Sequence, residues 1–474
     1  MSQHHALLFG SLIAGFAVAN PVAHADTVAD ARIEALEQRI KVLERRLEIQ
    51  QEETDKKAKE TPVVKAGDKG FSLESRDGAY TVKLKGLAQG DGRFFLNENG
   101  TKDVNDTFLV RRARPTLEGT LGKYVGYRLT SEFAGDSTTL IDAYADLKFS
   151  PAATLRAGKF KSPVGLERYV YSDAVTPLAE FGLPTELAPN RELGVALQGD
   201  LLQSRVNYVV SLGNGSADGR DAPTSDVDDE HELAGRLFFL PFVNSSDSPL
   251  QGLGFGVGAS KGKKETEFAA GSATAASTLN NVLPRYRSPA QQQVFSYRTS
   301  GANLANADGD HARFSPQFYF YRNSFGLLGE YITSKQALKS ATTGREATLE
   351  NKAWELAASY VLTGEDASTK GVKPTEDFDW EKGSWGAFEV AARLHKLKID
   401  EEAFANGATS FADPRAAVSE ARGYGLGVNW YLNSNVKAVL DYFNTSFKDG
   451  VAATVNDGDR PDEEVFITRV QYQF

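Results

Sequence analysis

From about residue 79 to the C-terminus, apolar and polar positions alternate in short runs. In the last run Phe466, Thr468, Val470, Tyr472 and Phe474 share one face, and Arg469, Gln471 and Gln473 share the other. Tyr424, Leu426, Val428 and Trp430 likewise oppose Gly425, Gly427 and Asn429, and Trp354, Leu356, Ala358 and Tyr360 oppose Glu355, Ala357 and Ser359. Phe388, Val390, Ala392 and Leu394 oppose Glu389, Arg393 and His395, and Val125, Tyr127 and Leu129 oppose Arg128 and Thr130. Such a period predicts strands rather than helices. The connections alternate too. Short ones fall at 121–123, 150–152, 322–324 and 433–435, and long ones at about 162–190, 214–230, 263–312, 401–419 and 448–462. A single long connection, about 364–383, falls on the short side. This asymmetry predicts an all-β fold, a transmembrane antiparallel β-barrel of about 16 strands, an even number that returns both ends to one side. A large soluble sandwich is the alternative, and nothing in such a fold calls for regular alternation of loop length.

The N-terminal residues follow other rules. Ala6 to Ala19 form an apolar run, and Ala23-His24-Ala25 supplies a small-residue cleavage site, so 1–25 is expected to be a signal peptide, although its first residues hold no Lys or Arg. Next, Ile33, Ile40 and Leu47 recur every seventh residue with Leu36 and Leu43 between them, and Arg39 can meet Glu44 of a parallel neighbour. A coiled-coil helix is expected over 26–53, self-associating rather than folded onto its own domain. With only about three heptads it would be marginal alone, and its spacing does not fix the oligomer number. A polar linker is expected over 54–70 and the barrel over 71–474.

Composition narrows the class. Beyond the N-terminus no run approaches the roughly 20 apolar residues of a spanning helix, and mean hydropathy is -0.36; a barrel whose strands alternate averages to such a value. Cysteine is absent, which removes disulfides, thiolate metal sites and cysteine nucleophiles. A net charge of -10 argues against a nucleic-acid partner. Half of the six His lie in the export segment, leaving His231, His311 and His395 scattered, and no catalytic or phosphate-loop motif is present. The chain is therefore read as a non-enzyme without cofactor or metal. Lys or Arg facing lipid at mid-membrane costs roughly 2–4 kcal/mol, which assigns Arg112, Arg114, Arg128, Arg156, Arg205, Arg236 and Arg393 to a polar, water-filled lumen. Arg111 beside Arg112 breaks the alternation, so one of the two should sit at a bulge, an interface or a subunit contact.

Several short stretches resemble the phosphate- and polyphosphate-selective porins of Gram-negative outer membranes: Leu109-Val110-Arg111-Arg112-Ala113, Leu155-Arg156-Ala157-Gly158-Lys159-Phe160, Gly165-Leu166-Glu167-Arg168, Gly427-Val428-Asn429-Trp430-Tyr431 and Arg469 to Phe474. The resemblance runs patchily from about Phe71 to Phe474, and the N-terminal helix lies outside it. It implies an outer-membrane homotrimer of 16-stranded barrels, each a channel for inorganic phosphate or other small anions, with basic residues leading to an inward-folded third loop. Carried over residue by residue, Arg111 and Arg112 match paired arginines of the family, Arg168 its constriction lysine, Asp142 an acidic position, and Arg285 and Arg287 alternating arginines of the fifth loop. Arg114, Arg128, Arg156 and Lys159 are expected to line the lumen. Departures accompany these matches. Gly86 stands where the family has an arginine, and Asp173 and Glu180 stand at basic positions of the third loop, which also carries Glu167 and Glu186. Two other functions stay open: a general, weakly selective porin in which each arginine merely serves a neighbouring carboxylate, and a barrel tethered to the envelope by its periplasmic coiled coil.

Overall fold

The computed structural model describes residues 26–474 apart from 68–69, 97–104, 136, 224–225, 227, 267–282, 300–303, 342 and 451–457. The expected export segment, 1–25, lies outside the described residues. The chain divides into two units, one ending at Pro62 and one from Val63 to Phe474.

The first unit is a single helix, α1 (Asp26–Glu60). Its Ile33, Leu36, Ile40, Leu43 and Leu47 are all exposed in the single chain. The helix runs seven residues past 53, into the segment expected to be linker. Lys, Ala and Glu in 54–60 favour helix, and the first residue that cannot continue it is Pro62.

In the second unit β1 (Val63–Gly67) pairs with β2 (Gly70–Glu74), which pairs with the first part of β3 (Tyr80–Phe95). One run of the barrel wall is β3, β4 (Thr107–Leu121), β5 (Val125–Glu132), β6 (Thr139–Ser150), β7 (Ala153–Lys161), β8 (Arg191–Leu201), β9 (Val206–Gly213), β10 (Glu232–Phe239) and β11 (Leu253–Glu265). A hairpin of β12 (Arg285–Arg287) and β13 (Gln293–Ser296) lies in the fifth loop. The wall resumes with β14 (Ala305–Arg322), β15 (Phe325–Ser340), β16 (Glu346–Val361), β17 (Ala387–Lys398), β18 (Glu420–Tyr431), β19 (Val436–Lys448) and β20 (Glu463–Gln473). β20 pairs with β3 from Val465↔Phe95 to Gln473↔Leu87, closing an antiparallel barrel of sixteen strands among the described residues.

Closure explains one departure noted in the sequence. Backbone bonds of 3.1 Å join Gly86 and Phe474 in both directions, and the Phe474 ring occupies the space a Cβ at position 86 would need. A side chain there requires the Phe474 ring to move from its place against the strand.

The expected parity of the connections holds. Turns at 122–124, 151–152, 202–205, 323–324 and 432–435 share one end with the long 362–386. That end also carries 240–252, and the opposite end includes a loop of only five residues, 341–345. Neither irregularity leaves a mark in the alternating pattern. Outward residues such as Leu426, Val428, Val470 and Tyr472 are exposed, while Arg469, Gln471 and Glu355 on the inner face are buried. A barrel in lipid is apolar outside and polar within. Its lumen is partly filled by the third, fifth and seventh loops. Val164 and Leu187 of 162–190, Tyr286 and Phe295 of the hairpin, and Phe411 and Val418 of 399–419 cluster against Ile332, Leu349 and Leu397 of the wall.

Candidate functional site

The third loop leaves β7 at Lys161 and returns to β8 at Arg191, with only a short helix, α2 (Glu167–Val170), and one 3-10 turn between. Irregular backbone is tolerated inside a barrel when its polar groups find partners. Here the wall supplies them. Gln89 donates to the Asp173 carbonyl at 2.9 Å, Gln471 to Ala174 at 2.7 Å, Lys437 to Thr176 at 3.0 Å, Asn429 to Pro177 at 2.6 Å and Arg393 to Glu180 at 2.8 Å. Gly182 is required by this close seating, because a Cβ there would meet the Glu355 carboxylate.

The loop's carboxylates are the other half of the attachment. Glu167 pairs with Arg393. Asp173 pairs with Arg112 at 3.0 Å and with Arg114. Glu180 accepts from Arg111 Nε and Nη2 at 2.7 and 2.9 Å, from Arg93 at 2.9 Å and from Arg469 at 3.0 Å. Burial opposes ionisation of Asp173, but Arg112 and Arg114 overcome it and hold its carboxyl well below the usual range. Glu180 is held down likewise, Arg111 outweighing burial. The exception is Glu186. Burial pushes its carboxyl up, Arg220 and Arg168 offset this only in part, and its Oε2 accepts the Arg287 backbone N–H at 2.9 Å.

A bulge brings the paired arginines together. In the β3–β4 ladder Gln89 pairs with Arg112 and Gly90 with Val110, so Arg111 is the extra residue. A bulge re-aims a side chain, and Arg111 and Arg112 border the same cavity. That cavity, about 240 Å³, opens between the third loop, the wall and the fourth and fifth loops. Its charged lining is Arg111, Arg112, Arg114, Arg168, Arg191, Arg220 and Arg287 against Glu180, Glu186 and Asp221. Arg168 stacks over Phe181 with its Cζ 4.6 Å from the ring centroid, its Nε is buried without a hydrogen-bond partner, and burial lowers its pKa. Arg168, Arg220 and Arg287 have no carboxylate ion-pair partner among the described residues.

Arg114 and Arg191 also border a larger vestibule of about 1010 Å³ toward the turn end, so the two spaces meet at these residues. The vestibule carries Lys83, Lys85, Arg128, Arg156 and Lys161, with Asp142 and Asp173 opposing them. Asp142 lies 3.4 Å from Arg128 and 3.3 Å from Arg191, Arg128 donates to Glu118 at 2.8 Å, and Arg156 holds Asp146 through two bonds of 2.7 and 2.9 Å.

Two expected lining residues stand elsewhere. Lys159 is buried and borders neither space, since its register partners are Ala143 and Leu193 on the face of Leu155 and Ala157. Arg285 is exposed and borders neither, and its carbonyl accepts Arg220 Nη2 at 2.6 Å. Arg205 is exposed in a turn, and Arg393 is buried beneath the third loop as an anchor. Several basic lining residues were missed, among them Lys83, Lys85, Lys161, Arg191 and Arg220. Lys83 and Lys85 alternate with Val82 and Leu84, a signal legible at period two. Arg191 and Arg220 carry no local signal, because only the return of the loops into the lumen brings them to the cavity.

A closed barrel with an apolar exterior, charged inner cavities and a third loop folded inward defines a pore of the Gram-negative outer membrane. The family model described as Phosphate-selective porin O and P matches residues 82–474, and the chain belongs to that family. Porin O of Pseudomonas aeruginosa is 26% identical over 435 residues, 85% of this chain and 91% of that protein. Among solved structures, the outer membrane channel DcaP of Acinetobacter baumannii aligns over 85% of this chain and 99% of that chain, with 12% identity and a TM-score of 0.50. The anion-selective porin from Comamonas acidovorans aligns over 83% and 99%, with 12% identity and a TM-score of 0.48. These two likenesses concern the barrel alone.

Proposed function

We propose that the channel passes small anions, inorganic phosphate among them, in preference to cations. Solutes enter past Arg287 and Arg220, cross the constriction at Arg168, Arg111 and Arg112, and leave along the basic vestibule. The observation that carries this reading is the contrast between the third loop's carboxylates and the arginines that line the cavity. Glu167, Asp173 and Glu180 are each tied to wall arginines, whereas Arg168, Arg220 and Arg287 face the cavity without carboxylate partners. Glu186, the third-loop carboxylate left on the cavity without an ion-pair partner among the described residues, is pushed toward its neutral form by burial, so the loop's acidic composition does not cancel the cationic lining. A guanidinium fork suits phosphate oxygens and stays charged at every relevant pH. Several moderate sites in series allow release as well as entry.

The paired wall arginines Arg114, Arg128 and Arg156 favour the second reading, a general pore. Arg168→Glu separates the two. An anion pathway loses most of its anion preference on this substitution, whereas a general pore keeps its permeability ratio. We further propose that α1 self-associates between the subunits of a trimer, in keeping with its exposed Ile/Leu stripe. Oxidative cross-linking of Ile40→Cys in the intact assembly tests it: an inter-subunit bond is expected, and its absence contradicts a parallel coil.

A further inference from the structure

The inner wall holds two arginines stacked on aromatic rings toward the turn end, and they differ in one respect. Arg156 lies 3.8 Å from the Tyr144 ring centroid and has its own carboxylate, Asp146. Arg236, on β10, lies 4.0 Å from the Phe238 centroid and 5.0 Å from that of Tyr169. It has no carboxylate ion-pair partner among the described residues. Its relative exposure is 7%. Its Nε donates to Gln317 Oε1 at 2.8 Å, and its Nη2 is buried with no hydrogen-bond partner. Rings offset part of the penalty for burying a cation, but they leave the Nη2 protons unused, and a buried charge without a counter-ion is unfavourable.

Arg236 borders a space of about 500 Å³ together with Tyr169, Phe238 and Tyr319. Phe238 and Tyr319 stack at 4.9 Å with 30° between planes. Tyr169 and Gln198 border both this space and the main vestibule, so the two spaces are neighbours within the lumen.

We propose that Arg236 with Tyr169, Phe238 and Tyr319 forms a second subsite, on the turn side of the constriction, for phosphate monoesters of a planar ring. Phosphoryl oxygens complete the free side of the Arg236 fork while the ring lies against the tyrosines. Inorganic phosphate meets the same guanidinium and leaves the rings unused, so the subsite discriminates between the two. This inference rests on the anion pathway proposed above.

The test is interruption of single-channel chloride current by phenyl phosphate or inorganic phosphate added on the turn side. Stacking of one ring predicts half-block by phenyl phosphate at about one tenth of the inorganic phosphate concentration. Tyr319→Leu brings that ratio close to one, while Arg236→Gln removes the contact both anions share and raises both half-blocking concentrations. If Arg236→Gln does not assemble, Tyr319→Leu, which keeps the charge, decides alone. Equal half-blocking concentrations in the unmodified channel, a ratio unchanged by Tyr319→Leu, or half-blocking concentrations unchanged by Arg236→Gln overturn the subsite. Block by inorganic phosphate without preference for the ester sinks the subsite alone. A current interrupted by neither anion sinks the anion pathway beneath it.

Discussion

Replacing Glu180 by Gln tests how the third loop is held, because the change is nearly isosteric and removes one charge. The carboxylate is 2% exposed and accepts four charge-assisted bonds, two from Arg111 and one each from Arg93 and Arg469, all between 2.7 and 3.0 Å. Arg93 and Arg469 keep Asp91 as a partner, at 3.2 Å for Arg93 and 2.6 and 2.8 Å for Arg469. Arg111 has no other ion-pair partner among the described residues. A glutamine also turns an NH₂ group toward guanidinium donors. Removing one partner of a buried ion pair costs about 3–5 kcal/mol. At about 4 kcal/mol, the population with the middle of the loop detached rises roughly a thousandfold. Glu167 and Asp173 still anchor the flanks, so the loop stays in the lumen but opens and closes more often. Single-channel recording should then show flickering absent from the unmodified protein, and the heat-modifiable band should convert at lower temperature. Adding Arg111→Gln removes the stranded charge and should recover part of the loss. A quiet Glu180→Gln channel with unchanged thermal conversion would refute this account of the loop.

Other outcomes follow from the same geometry. Arg168→Glu reverses a charge that contributes about 1 kcal/mol at 4 Å even in bulk water, so the anion-to-cation permeability ratio should fall at least about tenfold, read from reversal potentials; a ratio within about twofold of the unmodified channel contradicts it. Burial raises the Glu186 carboxyl, so it takes up its proton at higher pH than an ordinary glutamate. Acidification from neutral pH should therefore make the cavity more positive and raise anion preference, and Glu186→Gln should show the higher preference already at neutral pH and abolish that part of the change. Gly86→Arg, which introduces the arginine that the family resemblance implies there, should lower barrel assembly rather than raise selectivity, because Phe474 fills the site; normal yield of heat-modifiable protein would oppose this.

The barrel was legible because lipid outside and a polar lumen within impose a period of two on every strand, and because turn and loop ends differ in length. The Arg111–Arg112 pair even signalled its bulge by breaking that period. The site was less legible for a physical reason. A residue on a strand inherits its face from its neighbours, whereas Asp173, Glu180, Arg220 and Arg287 lie on loops whose path depends on partners far away in sequence. Glu180 illustrates the consequence. In sequence it is a negative charge at a basic position of the family, and in the structure it is the hub that holds Arg93, Arg111 and Arg469. Lys159 failed in the opposite way: the motif implied the lumen, while its own register with Ala143 and Leu193 already placed it on the other face.

In the proposed pathway, arginines without carboxylate ion-pair partners, rather than the chain's net charge of -10, set what crosses the constriction. Over distances beyond about 8 Å at physiological ionic strength, charge is screened, so the lining should dominate. The zero-current potential of the unmodified channel across a potassium chloride gradient measures this directly. Its sign should report chloride as the more permeant ion, with a preference that weakens at high salt. A sign reporting potassium as the more permeant ion would contradict the anion pathway and leave a general porin.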